Sequence, residues 1–347
     1  MSSNELSFSE KRVNYLDALR VICSFFVIIN HTYQCVPLLQ SSNPVRFITF
    51  TSLFLSKVAV PVFLMISGFT LLSKDESILK TLQRVLRIAV TLIVFSLIYE
   101  IYNCLFITAQ PINLKRFLLS IYDQPITNAY WYLYAYAGLL LMLPPLRKMV
   151  KAMSRGDFLY FFALSFFFVG FWPLIVEYTP MSEYFWKFQL PLFTAHICYL
   201  LLGYYLRTYG TKHLPTPLLI AILCTSILSC ASLTQYKFAV TEGTQYLFLD
   251  DISLLPITIS SVCFFCLVSR IPLQGRTAAV IRKLSSYSFS IYLLGDLAIA
   301  ICFPCLHFLL KYVPPILAVL GYQILSWFFA LAFSIPLKHL PVFRKLI

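Results

Sequence analysis

Blocks of about twenty predominantly apolar residues recur along the whole chain, and each is long enough to cross a bilayer as a helix. A segment in hydrocarbon must satisfy its own backbone hydrogen bonds, which selects helices. The segments of a β-barrel would be shorter and would alternate. Ten spans are expected, over residues 13–34, 48–72, 88–108, 129–146, 158–175, 188–206, 217–234, 250–269, 284–304 and 316–336. Composition agrees: of 347 residues, 59% are hydrophobic and only 12% charged, against about a quarter charged in soluble domains. The expectation is an all-α, polytopic integral membrane protein with about ten transmembrane helices, forming a single membrane domain over 1–347. The first apolar block is too long for a secretory signal and lacks a small-residue cleavage site, so it is expected to remain. No internal repeat is visible, which argues against repeated transporter folds.

The basic residues set an expected orientation. With both termini cytoplasmic, 20 of the 27 Lys and Arg fall on the cytoplasmic side, as the positive-inside rule requires. The formal net charge of +13 therefore reflects topology and gives no support to a nucleic-acid partner. An anionic partner such as a CoA thioester would still feel that field. The cysteines include the pairs Cys263/Cys266 and Cys302/Cys305, in or at the ends of apolar spans. Packing as small hydrophobes is the expected role, with no metal. Only Cys35 and the pair Cys302/Cys305 approach the outer face, so no disulfide framework is expected.

Ionisable groups at membrane depth are costly and point to function. In RVICSFFVIINH (20–31), eleven residues separate Arg20 from His31. That places the histidine roughly 16 Å deeper after about three helical turns, on one face with Ser24 and Val27 between. The face runs from a cation at the mouth to a titratable base near the centre. Glu100, Asp296 and Lys57 reach similar depth in other spans. Lys57 and Glu100 also read as a structural pair. His196 is expected to be structural, and His213, His307 and His339 to lie in loops or at span ends. Arg84 and Arg87 lie three apart at the start of the third span, on one helical face, where two guanidiniums form a fork suited to phosphates. An ordinary positive-inside anchor is the other reading of that pair.

Taken together, these landmarks resemble the acyltransferase 3 family of integral-membrane acyltransferases. YLDALRVICSFFVIINH (15–31) is similar to its first-span signature, VAVPVFLMISGF (58–69) to its second, and RVLR (84–87) to its paired-arginine motif. WYLYAYAGLLLMLPPL (131–146), YLLLGYYL (199–206) and SSYSFSIYLLG (285–295) match later landmarks. Family members often end the last of these in histidine. Here Gly295 stands there, followed by Asp296. The resemblance implies a cytoplasmic acyl-CoA donor, usually acetyl-CoA, an extracytoplasmic glycan acceptor, and residence in the cytoplasmic (inner) cell membrane among membrane lipid. The length resembles the stand-alone subclass, which includes the O-acetyltransferase of enterobacterial common antigen and enzymes that succinylate glucans.

Residues and resemblance meet in one expected mechanism. Arg20, Arg84 and Arg87 hold the CoA phosphates, and the thioester arrives near His31. His31 acts as general base or as a covalent acyl relay. Glu100 or Asp296 orients its ring. Lys57 or Tyr292 stabilises the oxyanion. Ser67 and Gly68 let a backbone approach the donor closely, or serve close helix packing as small residues. Trp131 stacks on a sugar, or belongs to an interfacial aromatic belt. The lack of a clear extra cation near the thioester, Lys57 aside, favours acetyl over succinyl. The competing class is a proton-coupled transporter or flippase of a sugar or lipid-linked sugar.

Overall fold

A computed structural model of the protein describes residues 13–32, 42–108, 111, 113–178, 194–212, 214–243 and 247–347, and among them every regular element is helical. In chain order these are α1 (Asn14–Thr32), α2 (Asn43–Ser56), α3 (Ala59–Leu71), α4 (Ile78–Tyr102), α5 (Leu114–Asp123), α6 (Trp131–Ala152), α7 (Arg155–Ser165), α8 (Trp172–Tyr178), α9 (Ala195–Tyr209), α10 (Thr216–Val240), α11 (Leu255–Val268), α12 (Gly275–Ser285), α13 (Ser288–Leu309), α14 (Pro315–His339) and α15 (Pro341–Leu346). A π-helical turn at Asn103–Thr108 continues α4, and another at Phe166–Phe171 joins α7 to α8.

Seven segments among the described residues are long and apolar enough to cross a membrane: α1, α2–α3, α4 with its π turn, α7–α8, α10, α13 and α14. This is the signature of a multi-pass membrane protein. Helices α6, α9 and α11 occupy the other three expected positions. Of these, α11 has 14 residues and α9 has 15, following residues 179–193, which lie outside those described. Tyrosines, two prolines and a basic end dilute the hydropathy of α6. Cys35 also lies outside the described residues, and the described cysteines are all free.

Burial separates an inner from an outer set of helices. The apolar window of α1 is 61% buried inside the protein, against 17% for α7–α8. α1, α2–α3 and α13 thus form the inner part, while α4, α7–α8 and α10 turn apolar side chains such as Leu105, Phe106, Leu159 and Ile220 outward, as helices facing lipid do. Buried hydroxyls return their hydrogen bonds to carbonyls one turn back, as Thr32 does to Ile28 and Ser261 to Ile257. The expected span 48–72 is two helices broken at Lys57–Val58. Pro61 lies four residues beyond Lys57, and its ring clashes with the carbonyl at that distance while donating no bond to it. The expected span 217–234 extends further, because α10 runs to Val240 and stops only where Glu242 and Gly243 take positive φ.

One end of the bundle is tied by charge. Glu76, in the α3–α4 connection, pairs with Arg84 at 2.6 Å and with the buried Arg147 of α6 at 2.8 Å. Arg147 also donates to the Leu71 carbonyl at 3.0 Å. Burial works to raise the Glu76 carboxyl, but the Arg147 hydrogen bond and the charges of Arg84, Arg147 and Lys74 outweigh it and hold it below the usual carboxylate range. A lowered carboxylate stabilises the fold above its unfolded value and loses that effect as pH falls through the folded one. Glu76→Gln, which leaves Arg147 buried without its anion, is expected to cost about 3 kcal/mol or more near neutral pH. Thermal unfolding in detergent checks this: the gap in Tm between wild type and variant narrows as pH falls below about 4. A gap independent of pH would mean that the charge of Glu76 does not carry the effect.

Candidate active site

Along α1 the turn of about 100° per residue places Val27 and His31 within about 20° of the direction of Arg20, on either side of it, and Ser24 about 40° off. Arg20, Val27 and His31 accordingly line cavities, whereas Ser24 turns away and accepts the Trp327 indole N–H at 3.0 Å. The expected face is thus made by Arg20, Val27 and His31 without Ser24.

Two cavities meet along this face. The one on the arginine side, about 330 Å³, is lined by Arg20, Arg87, Ser67 and Phe63 among others. The one on the histidine side, about 380 Å³, holds His31, Asn30, Lys57, Trp131 and His196. Both are within the usual range for small-molecule sites. Val27, Val60, Tyr132 and Tyr292 line both, so the cavities adjoin at an apolar and aromatic waist. Tyr132 and Tyr292 meet there edge to face, with ring centroids 5.8 Å apart.

At the far side of the waist, His31 Nδ1 stands 3.2 Å from Asp296 Oδ1. The second carboxylate oxygen accepts from the Thr127 hydroxyl and from the Ala129 backbone N–H at 3.2 Å. The carboxylate is therefore held from both sides. A neutral imidazole facing a carboxylate carries its proton on the facing nitrogen, leaving Nε2 as a free base. Nearby, the Tyr99 hydroxyl donates to the Leu293 carbonyl at 3.2 Å and accepts from the Leu297 N–H at 2.8 Å. It bridges two groups that an α-helix pairs directly, on the turn that carries Asp296. Tyr130 adds a 2.8 Å bond to the same Leu293 carbonyl.

Of the two candidate carboxylates, Asp296 meets the histidine. Glu100 lines neither cavity and accepts from the Cys104 thiol at 3.8 Å. Lys57 pairs with Asp250 and not with Glu100. The Tyr292 hydroxyl donates to the Ala129 carbonyl at 2.5 Å, and a hydroxyl has one proton to give, so it is committed away from an oxyanion. Ser67 lines the arginine-side cavity and returns its hydrogen bond to the Phe63 carbonyl at 2.9 Å. Arg20 is steadied by Asp17 at 3.1 Å, and Asp17 is in turn held by Ser285 at 2.7 Å. Arg87 is exposed and lines the arginine-side cavity, while Arg84 turns to Glu76 and lines neither. Sequence reasoning missed Thr127, Tyr99, Asp250 and Asp251. It also set His196 aside, although His196 shares the cavity of His31.

A family model for an acyltransferase domain, that of the acyltransferase 3 family, matches residues 13–337. The chain belongs to the acyltransferase 3 family. It is a multi-pass membrane acyltransferase. Comparison with curated proteins and with solved structures finds no match. The matched region takes in the Arg20–His31 helix, the Glu76 cluster and Asp296, and with them every residue lining the paired cavities except Ile347.

Proposed function

We propose that the protein moves an acetyl group from cytoplasmic acetyl-CoA to a hydroxyl of a surface or lipid-linked glycan across the cytoplasmic membrane. The observation that carries this reading is the pair of adjoining cavities, one mouthed by arginines and the other holding a carboxylate-bound histidine. Arg20 and Arg87 hold the CoA phosphates through charge-assisted bonds, with Arg84 adding to the local field from its place beside Glu76. The charge bias of the loops supports a cytoplasmic position for this arginine side. The pantetheine arm then runs past Val27 and Val60, and the thioester comes to rest beside His31.

His31 Nε2 removes the proton from the acceptor hydroxyl as that oxygen attacks the thioester carbonyl. The C–S bond breaks, and the CoA thiolate takes the proton back from His31, which restores the base. Asp296 holds the ring in the required tautomer and stabilises the imidazolium. Asn30 lines the same cavity, and its buried amide Oδ1 has no hydrogen-bond partner among the described residues; turned toward the thioester, its amide NH2 would donate to the developing oxyanion.

The test follows CoA release from acetyl-CoA by purified protein in nanodiscs, with radiolabelled acetyl traced into a lipid-linked oligosaccharide extract. Arg87→Ala is expected to raise the KM for acetyl-CoA about tenfold and to leave kcat within about twofold, as loss of one charge-assisted contact requires. Protein that neither binds nor consumes acetyl-CoA, while it carries sugar or protons in liposomes, would make the cavities the path of a carrier.

A further inference from the structure

The histidine-side cavity has a wall built from groups that acyl transfer leaves unused. Trp131, at the start of α6, meets His196 of α9 edge to face, with centroids 5.9 Å apart and planes at 75°. His196 Nε2 is buried and has no hydrogen-bond partner among the described residues. Asp250 and Asp251 bring two carboxylates to the same cavity. Lys57 pairs with the first, and the Ser253 backbone N–H fixes the second at 2.8 Å. The cation of Lys57 is thus set against Asp250, Asp251 and, behind His31, Asp296.

We propose that this wall is the acceptor subsite and that it takes an uncharged or amine-bearing sugar ring. This rests on the acyltransferase reading above. An aromatic face with a few convergent polar groups is how proteins hold small polar ligands. Trp131 is the platform. His196, with one donor and one acceptor nitrogen, and Asp251, with acceptor capacity to spare, hydrogen-bond the ring hydroxyls. The surplus of carboxylates rejects an anionic group on the acceptor, and it equally rejects a carboxylate on the transferred acyl group.

Three probes share one ring and differ in charge: methyl glucoside, methyl glucosaminide and methyl glucuronide. Each is offered at high concentration, with radiolabelled acetyl-CoA, to the full-length protein in nanodiscs. The glucoside and glucosaminide are expected to accept acetyl with a kcat/KM at least about tenfold above the glucuronide, the effect of about 1.4 kcal/mol of like-charge repulsion. Asp251→Asn narrows that gap by about threefold or more. His196→Ala and Trp131→Ala each raise the KM for the glucoside about tenfold while the KM for acetyl-CoA holds within about twofold. His196→Gln, which keeps a donor and an acceptor, recovers part of the loss.

The subsite is overturned if the glucuronide matches the glucoside. It is overturned if the variants move the acetyl-CoA KM as much as the sugar KM, or if protein that releases CoA acetylates none of the three probes. CoA release measured without any sugar separates these results from failure of the acyltransferase reading, in which wild type consumes no acetyl-CoA at all and the subsite falls with it.

Discussion

His31→Ala is expected to lower kcat for acetyl transfer by about a thousandfold, and Asp296→Asn by at least about a hundredfold. The KM for acetyl-CoA should stay within about twofold in both, because neither side chain reaches the arginine-side cavity. The first change removes the base. The second leaves the volume of the site intact but replaces an acceptor with an amide whose N–H can face Nδ1. The imidazole then carries its proton on Nε2, the nitrogen that has to be free. Asparagine also gives up the charge that stabilises the imidazolium formed during transfer. Single-turnover measurement with labelled acetyl-CoA separates this chemical step from binding. It also tests the covalent alternative, since an acyl-histidine would trap label on wild-type protein and not on His31→Ala. If Asp296→Asn turns over like wild type, the 3.2 Å contact is a structural ion pair and His31 works without an orienting group.

The Arg20-to-His31 relation was legible because it lies within one helix, where rise and twist are fixed by the backbone. The partner of His31 was not, because depth along a span says nothing about the direction a side chain faces. Glu100 and Asp296 lie at similar depth in their spans. Tyr99 points inward to Leu293, so its neighbour Glu100, turned about 100° further round the helix, cannot share that direction. The pairing of Lys57 with Asp250 was hidden for a related reason, since it joins two segments far apart in sequence whose proximity only the fold creates. Gly295 faces α1: a Cβ there would stand 3.2 Å from Ile28 Cδ1, a tight contact that the end of the isoleucine side chain would have to relieve. His196 was set aside because nothing along its own helix pairs with it. Its companions, Trp131 and Asp251, come from other elements.

Replacement of Gly68 or Gly203 by alanine is expected to disrupt folding more than any surface change. A Cβ on Gly68 would lie 1.8 Å from the Leu200 carbonyl oxygen, and one on Gly203 would lie 1.9 Å from that of Met65. Each glycine faces the main chain of the other helix across the α3–α9 crossing, where backbone lies directly on backbone. The obstacle is therefore main chain, which no rotamer change relieves, and the helices must move apart. Small residues that permit such contact are a recurring means of packing helices in membranes. Of the two readings of the Ser67-Gly68-Phe69 stretch, close packing is thus the one with a geometric cause at Gly68. Separation of α3 from α9 would also displace Val60 at the waist and His196 in the histidine-side cavity, and would pull Arg207 from the Phe69 carbonyl it meets at 2.9 Å. The cost should reach or exceed the upper end of the roughly 1–3 kcal/mol typical of overpacking. Folded yield and Tm in detergent measure it. Gly138→Ala is the matched control, since a Cβ at that exposed position in α6 meets nothing within 4 Å. Helix propensity predicts that this change is neutral or stabilising by about 0.5–1 kcal/mol. If all three variants behaved alike, the close crossing of α3 and α9 would not be what holds the two cavities in register.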